Sequence, residues 1–572
     1  VPALAVICFA LLASQFSAAD ETAKAPTVSA ISAFENQIAD QLIDRINKDF
    51  LLLPIDGSGL EYRAARIVGS RLAVLAYYQQ QIMSLDTKLL NPRNRLRLAA
   101  LQVTQKQLQQ QRNNALQDAA LSPYHGPHID LLRLVSLYPI TSTDRDNSIN
   151  PLLAELRLLG RAIDKPAAFS PLVTPQECVA VIASLSQLIK TSQLTDSLEL
   201  RFIAAGIDVA TRRQYTDQFN AALQQEVMPG LGRLADELSC DDLNLDEGPG
   251  TDPSYYAYRL QRFGAAELHA AAVHALGESA LGDLKGKIAQ QWHGLHPGDQ
   301  AEPALTEIRK DALLYLGKTD ADRQDYLSLI SDMVMKVSQQ LANTVLDLTL
   351  PDLEIIAEPD LLAPSSLPFT YRFSNDGPAQ LAVNFNSTAS FSQHQLTART
   401  YYSSVPGLHL VRHGFVDQQA AGVSPLLSNA NNPAYFDGWP LYLTNLLLDN
   451  ADQISRARLG LLELNAEMAA MLVIDTGIHN RDWSRQAAIN FLVANTVIAT
   501  YHAERLVDEV RFRPASMNSA YLGMTQIQAL LAGAPVTNGN NPTPISWEAA
   551  LAAGPVAASQ QQALRAWLKN SP

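Results

Sequence analysis

The sequence predicts a mostly α-helical protein, a large helical body carrying one small antiparallel β-sheet near residues 369–400. Three observations lead there. Apolar residues recur every three or four positions over long stretches, as in Ile31, Phe34, Ile38, Leu42 and Ile46 and again in Ala64, Ile67, Val68 and Leu72, a spacing that puts them on one helix face. Apolar–polar alternation is confined to one place, where Phe369-Thr-Tyr-Arg-Phe-Ser and Leu381-Ala-Val-Asn-Phe-Asn386 flank the turn Asn375-Asp-Gly-Pro, as in a hairpin. A composition of 47% apolar and 17% charged residues over 572 positions supplies an ample core.

The chain opens with the apolar run Ala3–Ala13, followed by Ser17-Ala18-Ala19 before Asp20. A run of that length is shorter than the roughly 20 residues a bilayer core requires, and the small-x-small ending is that of a cleaved signal. Residues 1–19 are therefore read as a signal peptide, leaving an exported chain with no transmembrane segment after cleavage. Cys8 lies inside the run and follows Ile7, where a lipid-attachment site wants a small residue, so lipoprotein anchoring is not favoured. The formal charge of −14 and the lack of a Lys/Arg cluster argue against nucleic acid or an anionic membrane as partner.

An N-terminal helical region is expected over residues 20–250 and a second, carrying the sheet, over 251–572. Gln102–Gln117 reads as a polar helix face interrupted by Val103, Leu108 and Leu116. The loop Ser122–His128 holds two histidines, but Gly126-Pro127 between them favours an ordered loop over a metal site. Helical spacing resumes at Pro151 and runs to Val209, with Thr174 as an N-cap before Pro175. The acidic segment Asp241–Gly250 reads as a solvated linker, because its spacing is not that of a calcium loop. After signal removal Cys178 and Cys240 remain, either bridged or as two buried thiols; without a Cys-x-x-Cys pair they give no zinc or redox motif.

Chemistry concentrates between Tyr401 and His413, Tyr-Tyr-Ser-Ser-Val-Pro-Gly-Leu-His-Leu-Val-Arg-His, and in Phe436-Asp-Gly-Trp-Pro-Leu-Tyr442. This pair of stretches resembles the bacterial domain-of-unknown-function 885 family, whose members typically read His-Glu-Ala-x-Pro-Gly-His-His and then Glu-Gly-Trp-Ala-Leu-Tyr-Ala-Glu. Pro406, Gly407, His409, Gly438, Trp439, Leu441 and Tyr442 match. Tyr402 and Ser403 stand in place of the leading His and Glu, Leu408 in place of the first paired His, Asp437 in place of Glu and Thr444 in place of the second Glu. Val473–His479 also matches, with Met471 where an Arg is usual. In Pro514–Gly523, Ala520 replaces the family's Tyr and Tyr521 its Lys.

The resemblance implies a helical zinc-metallopeptidase-like body with a cleft, its site positions falling on Tyr402, Ser403, Leu408, His409, Asp437, Ala520 and Tyr521. A zinc hydrolase needs about three protein ligands, an open position for water and a carboxylate base. Tyr402, Ser403 and Leu408 supply neither an imidazole nor a base, so the expectation is a catalytically inactive relative with no cofactor. It would bind a peptide or another extended ligand in a cleft lined by Tyr401, Tyr402, Trp439 and Tyr442, in the bacterial periplasm. An alternative is a hydrolase with zinc moved onto His409, His413 and Asp437, since His409 and His413 have the four-residue spacing of two ligands on one helix face. Against it, His413 reads as exposed, with Gly414 ending the helix. A second alternative is a structural or interaction protein of the cell envelope. No Gly-x-Ser-x-Gly elbow supports a serine nucleophile at Ser403 or Ser404. His479 reads as a structural histidine in a turn, with Asp475 capping that turn.

Overall fold

A computed structural model describes residues 27–532, apart from 52–60, 116–120, 141–148, 164–174, 191, 239, 241–250, 266–267, 299–302, 312–318, 343–349, 374–377, 387–391, 414–431 and 450–452, together with Leu551. The signal segment, the Thr174 cap, the acidic segment 241–250 and Gly414 lie outside the described residues.

Helices dominate, as the periodicity predicts. The first three, α1 (Val28–Leu51), α2 (Glu61–Ser84) and α3 (Pro92–Asn113), share a core built on Ile43, Ile46, Leu75 and Leu101. Asn91 caps α3 by accepting from the Asn94 N–H, and Pro92 follows at the first turn. Six helices form a second core: α4 (Pro127–Leu137), α5 (Ile149–Ile163), α6 (Pro175–Lys190), α7 (Gln193–Ala204), α8 (Val209–Ala222) and α9 (Met228–Glu237). Cys178 and Cys240 are bridged, with Cα atoms 5.6 Å apart, which decides between the two readings of that pair.

The third and largest core joins α10 (Pro253–Leu260), α11 (Ala270–Leu295) and α12 (Ala304–Asp311) to the C-terminal helices. Following α13 (Asp320–Ala342) and the sheet come α14 (Gln395–Ser403), α15 (Pro433–Leu448), α16 (Arg456–Arg481), α17 (Arg485–Asn495), α18 (Thr500–Phe512) and α19 (Ser519–Leu531). At the centre lies α16, nearly every residue from Arg458 to His479 buried. Such a helix has no solvated face and is surrounded by its neighbours.

The sheet differs from the prediction in topology and extent. β2 (Phe369–Arg372) and β3 (Ala379–Val383) form the expected antiparallel pair, with Phe369 opposite Val383 and Arg372 opposite Gln380. A further strand, β1 (Leu353–Ala357), joins β3 in parallel, so the order is β1-β3-β2 and the sheet is mixed. The sheet spans 353–383, and residues 395–403 are helical. Local alternation cannot show a parallel partner, which arrives by a long crossover. Central β3 is buried, and its Leu381 and Val383 pack with Tyr326 and Ile330 of α13.

Candidate functional site

The site is assembled by a turn and two helices. After α14 the chain passes through the cis Val405–Pro406 peptide to Gly407, whose N–H donates to the Tyr401 carbonyl at 3.0 Å. A Cβ on Gly407 would stand 1.9 Å from the Tyr402 carbonyl oxygen, so only glycine fits this doubled-back chain. Residues 408–413 then form a short helical segment. Across from it, α15 and α19 cross in backbone contact: a Cβ on Gly438 would lie 2.6 Å from the Gly523 Cα, and one on Gly523 would lie 1.9 Å from the Ala434 carbonyl oxygen. These glycines bring Asp437 of α15 beside Ser519 of α19.

His409 and His413 do share a face, their ring centroids 4.6 Å apart. His413 is buried at 4% exposure, against the sequence reading, because its ring packs on Phe373 with centroids 4.8 Å apart. His409 is engaged at both ring nitrogens: Nε2 lies 2.9 Å from the Pro351 carbonyl and Nδ1 lies 3.1 Å from the Tyr371 hydroxyl. A carbonyl only accepts, so Nε2 carries the proton and Nδ1 accepts from Tyr371. Burial lowers the His409 pKa to about 4, with His413 adding to the effect and the Pro351 bond opposing it. The imidazole is therefore neutral at pH 7.

Asp437 faces elsewhere. The Ser519 hydroxyl donates to its Oδ2 at 2.6 Å, and Arg412 Nη2 stands 4.0 Å from its Oδ1. The Arg412 guanidinium lies over the Phe436 ring, 4.2 Å from the centroid. Burial is the main influence on all three neighbouring groups. It pushes Arg412 down, Asp437 up and the Tyr402 phenol up; Asp437 raises Tyr402 further and Arg412 opposes that rise. Yet 38% of the Arg412 side chain and 27% of that of Asp437 remain in contact with solvent. Arg412, on the 408–413 segment, and Asp437, on α15, thus face each other with part of each side chain exposed.

The remaining predicted positions are placed as follows. Ser403 is buried; Ser404 beside it donates from its hydroxyl to the Thr400 carbonyl. Leu408, Tyr401, Tyr402 and Tyr442 are partly buried, whereas Trp439 is 1% exposed and sits in an apolar cluster with Leu410, Val411, Tyr435 and Ile527. Ala520 and Tyr521 belong to the main core, where burial and Asp283 push the Tyr521 phenol up to about 12. Thr444 donates to the Pro440 carbonyl, and Met471 is core. Of the proposed zinc trio, His409 is directed to Pro351 and Tyr371 and Asp437 to Ser519 and Arg412. Among the described residues no group of three or more His, Cys, Asp or Glu side chains is arranged to hold a metal.

Sequence reasoning missed Arg412 and Ser519, which lie outside the motif positions, and misread Asp475 and His479. Both of the latter are on helix α16, not in a turn. His479 does donate from Nε2 to a backbone carbonyl, that of Val510 at 2.9 Å. Asp475 accepts from the Tyr256 hydroxyl at 2.6 Å, the Ala515 N–H at 2.6 Å and Asn518 Nδ2 at 2.8 Å. His125 of the Ser122–His128 loop is bound to the Glu509 carboxylate at 2.8 Å.

The family model described as "Bacterial protein of unknown function (DUF885)" matches residues 62–557. The chain belongs to this family. Among curated proteins none matches it. Two solved structures share the fold of this family member. One, described as a "putative lipoprotein" from Colwellia psychrerythraea, superposes with a TM-score of 0.74 at 18% identity, covering 94% of this chain and 99% of that one. The other, a "putative lipoprotein of unknown function" from Shewanella oneidensis, has a TM-score of 0.59 at 13% identity, covering 96% and 100% respectively.

Proposed function

We propose that this family member is an exported protein that does not perform zinc-dependent hydrolysis and instead holds an extended, peptide-like ligand in the recess between the 408–413 segment and α15. The observation that carries this reading is the state of His409. It keeps its motif position, but its proton donates to the Pro351 carbonyl and its lone pair faces the Tyr371 hydroxyl, so it has no free nitrogen for a metal. Tyr402, Ser403 and Leu408 supply neither the missing ligands nor a base; loss of a general base alone lowers a rate by roughly a hundred- to ten-thousandfold.

Binding is favoured over a purely structural role by the wetted surface kept by Arg412 and Asp437. Tyr371, which reaches the site, lies on β2, an edge strand of the described sheet. An edge strand can hold an extended chain through backbone hydrogen bonds. Export is supported by the apolar run ending in Ser17-Ala18-Ala19, by the Cys178–Cys240 bridge, which belongs to an oxidising compartment, and by the two neighbours described as lipoproteins. The periplasm is the compartment that fits.

Purified without chelator and incubated with zinc, the protein should hold far less than one zinc per chain by elemental analysis. It should bind peptides from a random library without cutting them. Stoichiometric zinc lost in His409→Ala, together with chelator-sensitive peptide cleavage, would overturn this function.

A further inference from the structure

Arg412 has no assigned role, and its surroundings are unusual for an arginine. A guanidinium has five N–H donors in a rigid fork. Among the described residues its one polar contact is the 4.0 Å approach of Nη2 to Asp437, longer than a hydrogen bond. Asp437 is itself partly satisfied, since its other oxygen takes the Ser519 hydroxyl at 2.6 Å. The guanidinium carbon lies 4.2 Å from the Phe436 ring centroid, which restrains its direction, and 38% of the side chain stays exposed, so N–H donors remain available to a ligand. Tyr402 and Tyr371 stand within electrostatic reach. Tyr371 is directed to His409, whereas no hydrogen bond to the Tyr402 hydroxyl occurs among the described residues.

We infer that Arg412 is the anion anchor of the recess and binds a carboxylate of the ligand through its open edge, with the Tyr402 hydroxyl as a second donor. A carboxylate matches the fork geometry of a guanidinium, and the pair is stronger where water is restricted. A cationic ligand fits less well, because Asp437, the carboxylate beside Arg412 among the described residues, already faces a hydroxyl and a guanidinium. This inference deepens the peptide-binding function: the group recognised is the terminal or side-chain carboxylate of an extended ligand.

The test uses two probe pairs on the full mature chain. N-acetylglycine and N-acetylglycinamide represent the carboxylate end alone. A pentapeptide drawn from those the protein binds, with a free or an amidated C-terminus, represents the extended ligand. The wild type should bind the free acids about tenfold to a hundredfold more tightly than the amides, the range of one charged hydrogen-bonded contact. Arg412→Gln should abolish the preference, and Arg412→Lys, which keeps charge without the fork, should retain only part of it. Equal affinity for acid and amide in the wild type, or a preference that survives in Arg412→Gln, would overturn the anchor while leaving peptide binding intact. If N-acetylglycine binds through Arg412 but neither pentapeptide form binds better than it, the anchor stands and the extended-ligand reading falls. Absence of any binding overturns both.

Discussion

Glu463 offers a sharp test of how the core handles charge. It and Glu467 lie one turn apart on α16, at 1% and 4% exposure. Among the described residues one guanidinium serves them: Arg399 donates to Glu467 and, at 2.7 Å, to Gln395. Glu463 receives the Ser392 hydroxyl. His502 adds no charge, because burial, with Arg399 and Arg505, lowers its pKa to about 3. Two enclosed carboxyls with one cation cannot both ionise cheaply. Burial, opposed by Ser392, Gln395 and Arg399 and helped by Glu467, raises the Glu463 pKa to about 8.

The sign follows from linkage. Below the unfolded value of 4.5 both states are protonated and Glu463 costs nothing. Between there and about 8 the unfolded chain releases a proton that the folded one keeps, so stability falls by about 1.4 kcal/mol per pH unit and then levels off. The accumulated loss is on the order of 3–5 kcal/mol at alkaline pH. Glu463→Gln is the shape of the protonated acid and escapes this loss. Urea unfolding followed by tryptophan fluorescence at about pH 5, 7 and 9 should show the variant near wild type at the first value and increasingly more stable at the others. A gap between the two proteins that stays constant across that range would refute the assignment of the proton to Glu463.

Two other substitutions test the scaffold. Asp475→Ala should destabilise the main core by about 3 kcal/mol or more, since it strands the Tyr256 hydroxyl, the Ala515 N–H and the Asn518 amide in the interior; a loss below about 1 kcal/mol in urea unfolding would mean that these donors find other partners. Gly523→Ala should lose about 3 kcal/mol, the upper end of overpacking, because the atom its Cβ meets is backbone. The same change at Gly282 of α11, where a Cβ meets nothing within 4 Å, should be neutral or stabilising by up to about 1 kcal/mol. Equal midpoints for the two variants would contradict the close crossing of α15 and α19.

What the sequence revealed was local, and what it concealed was long-range. Helical spacing located α1, although only its second half is covered: Leu42 and Ile46 are buried, whereas Ile31, Phe34 and Ile38 are 37–44% exposed. Alternation found the β2–β3 pair because the two strands are neighbours in sequence; β1 was hidden because its partner follows it by some twenty residues and runs parallel to it. Asp475-Thr-Gly looks like a turn when read alone.

In the fold, Gly477 serves a different purpose, since a Cβ there would meet the Trp483 ring at 2.5 Å, and Asp475 receives a hydroxyl from Tyr256, 219 residues earlier. The candidate site follows the same logic. The spacing of His409 and His413 correctly placed two imidazoles on one face, but only tertiary packing decides what their nitrogens meet, and it gave His409 a carbonyl and a phenol. Arg412 sits between them in sequence and was passed over because a lone arginine has no motif. Its significance comes from Phe436 and Asp437, on a helix that Gly438 and Gly523 let touch α19 backbone to backbone. The glycines that look like remnants of a motif are what let Asp437 stand beside Ser519.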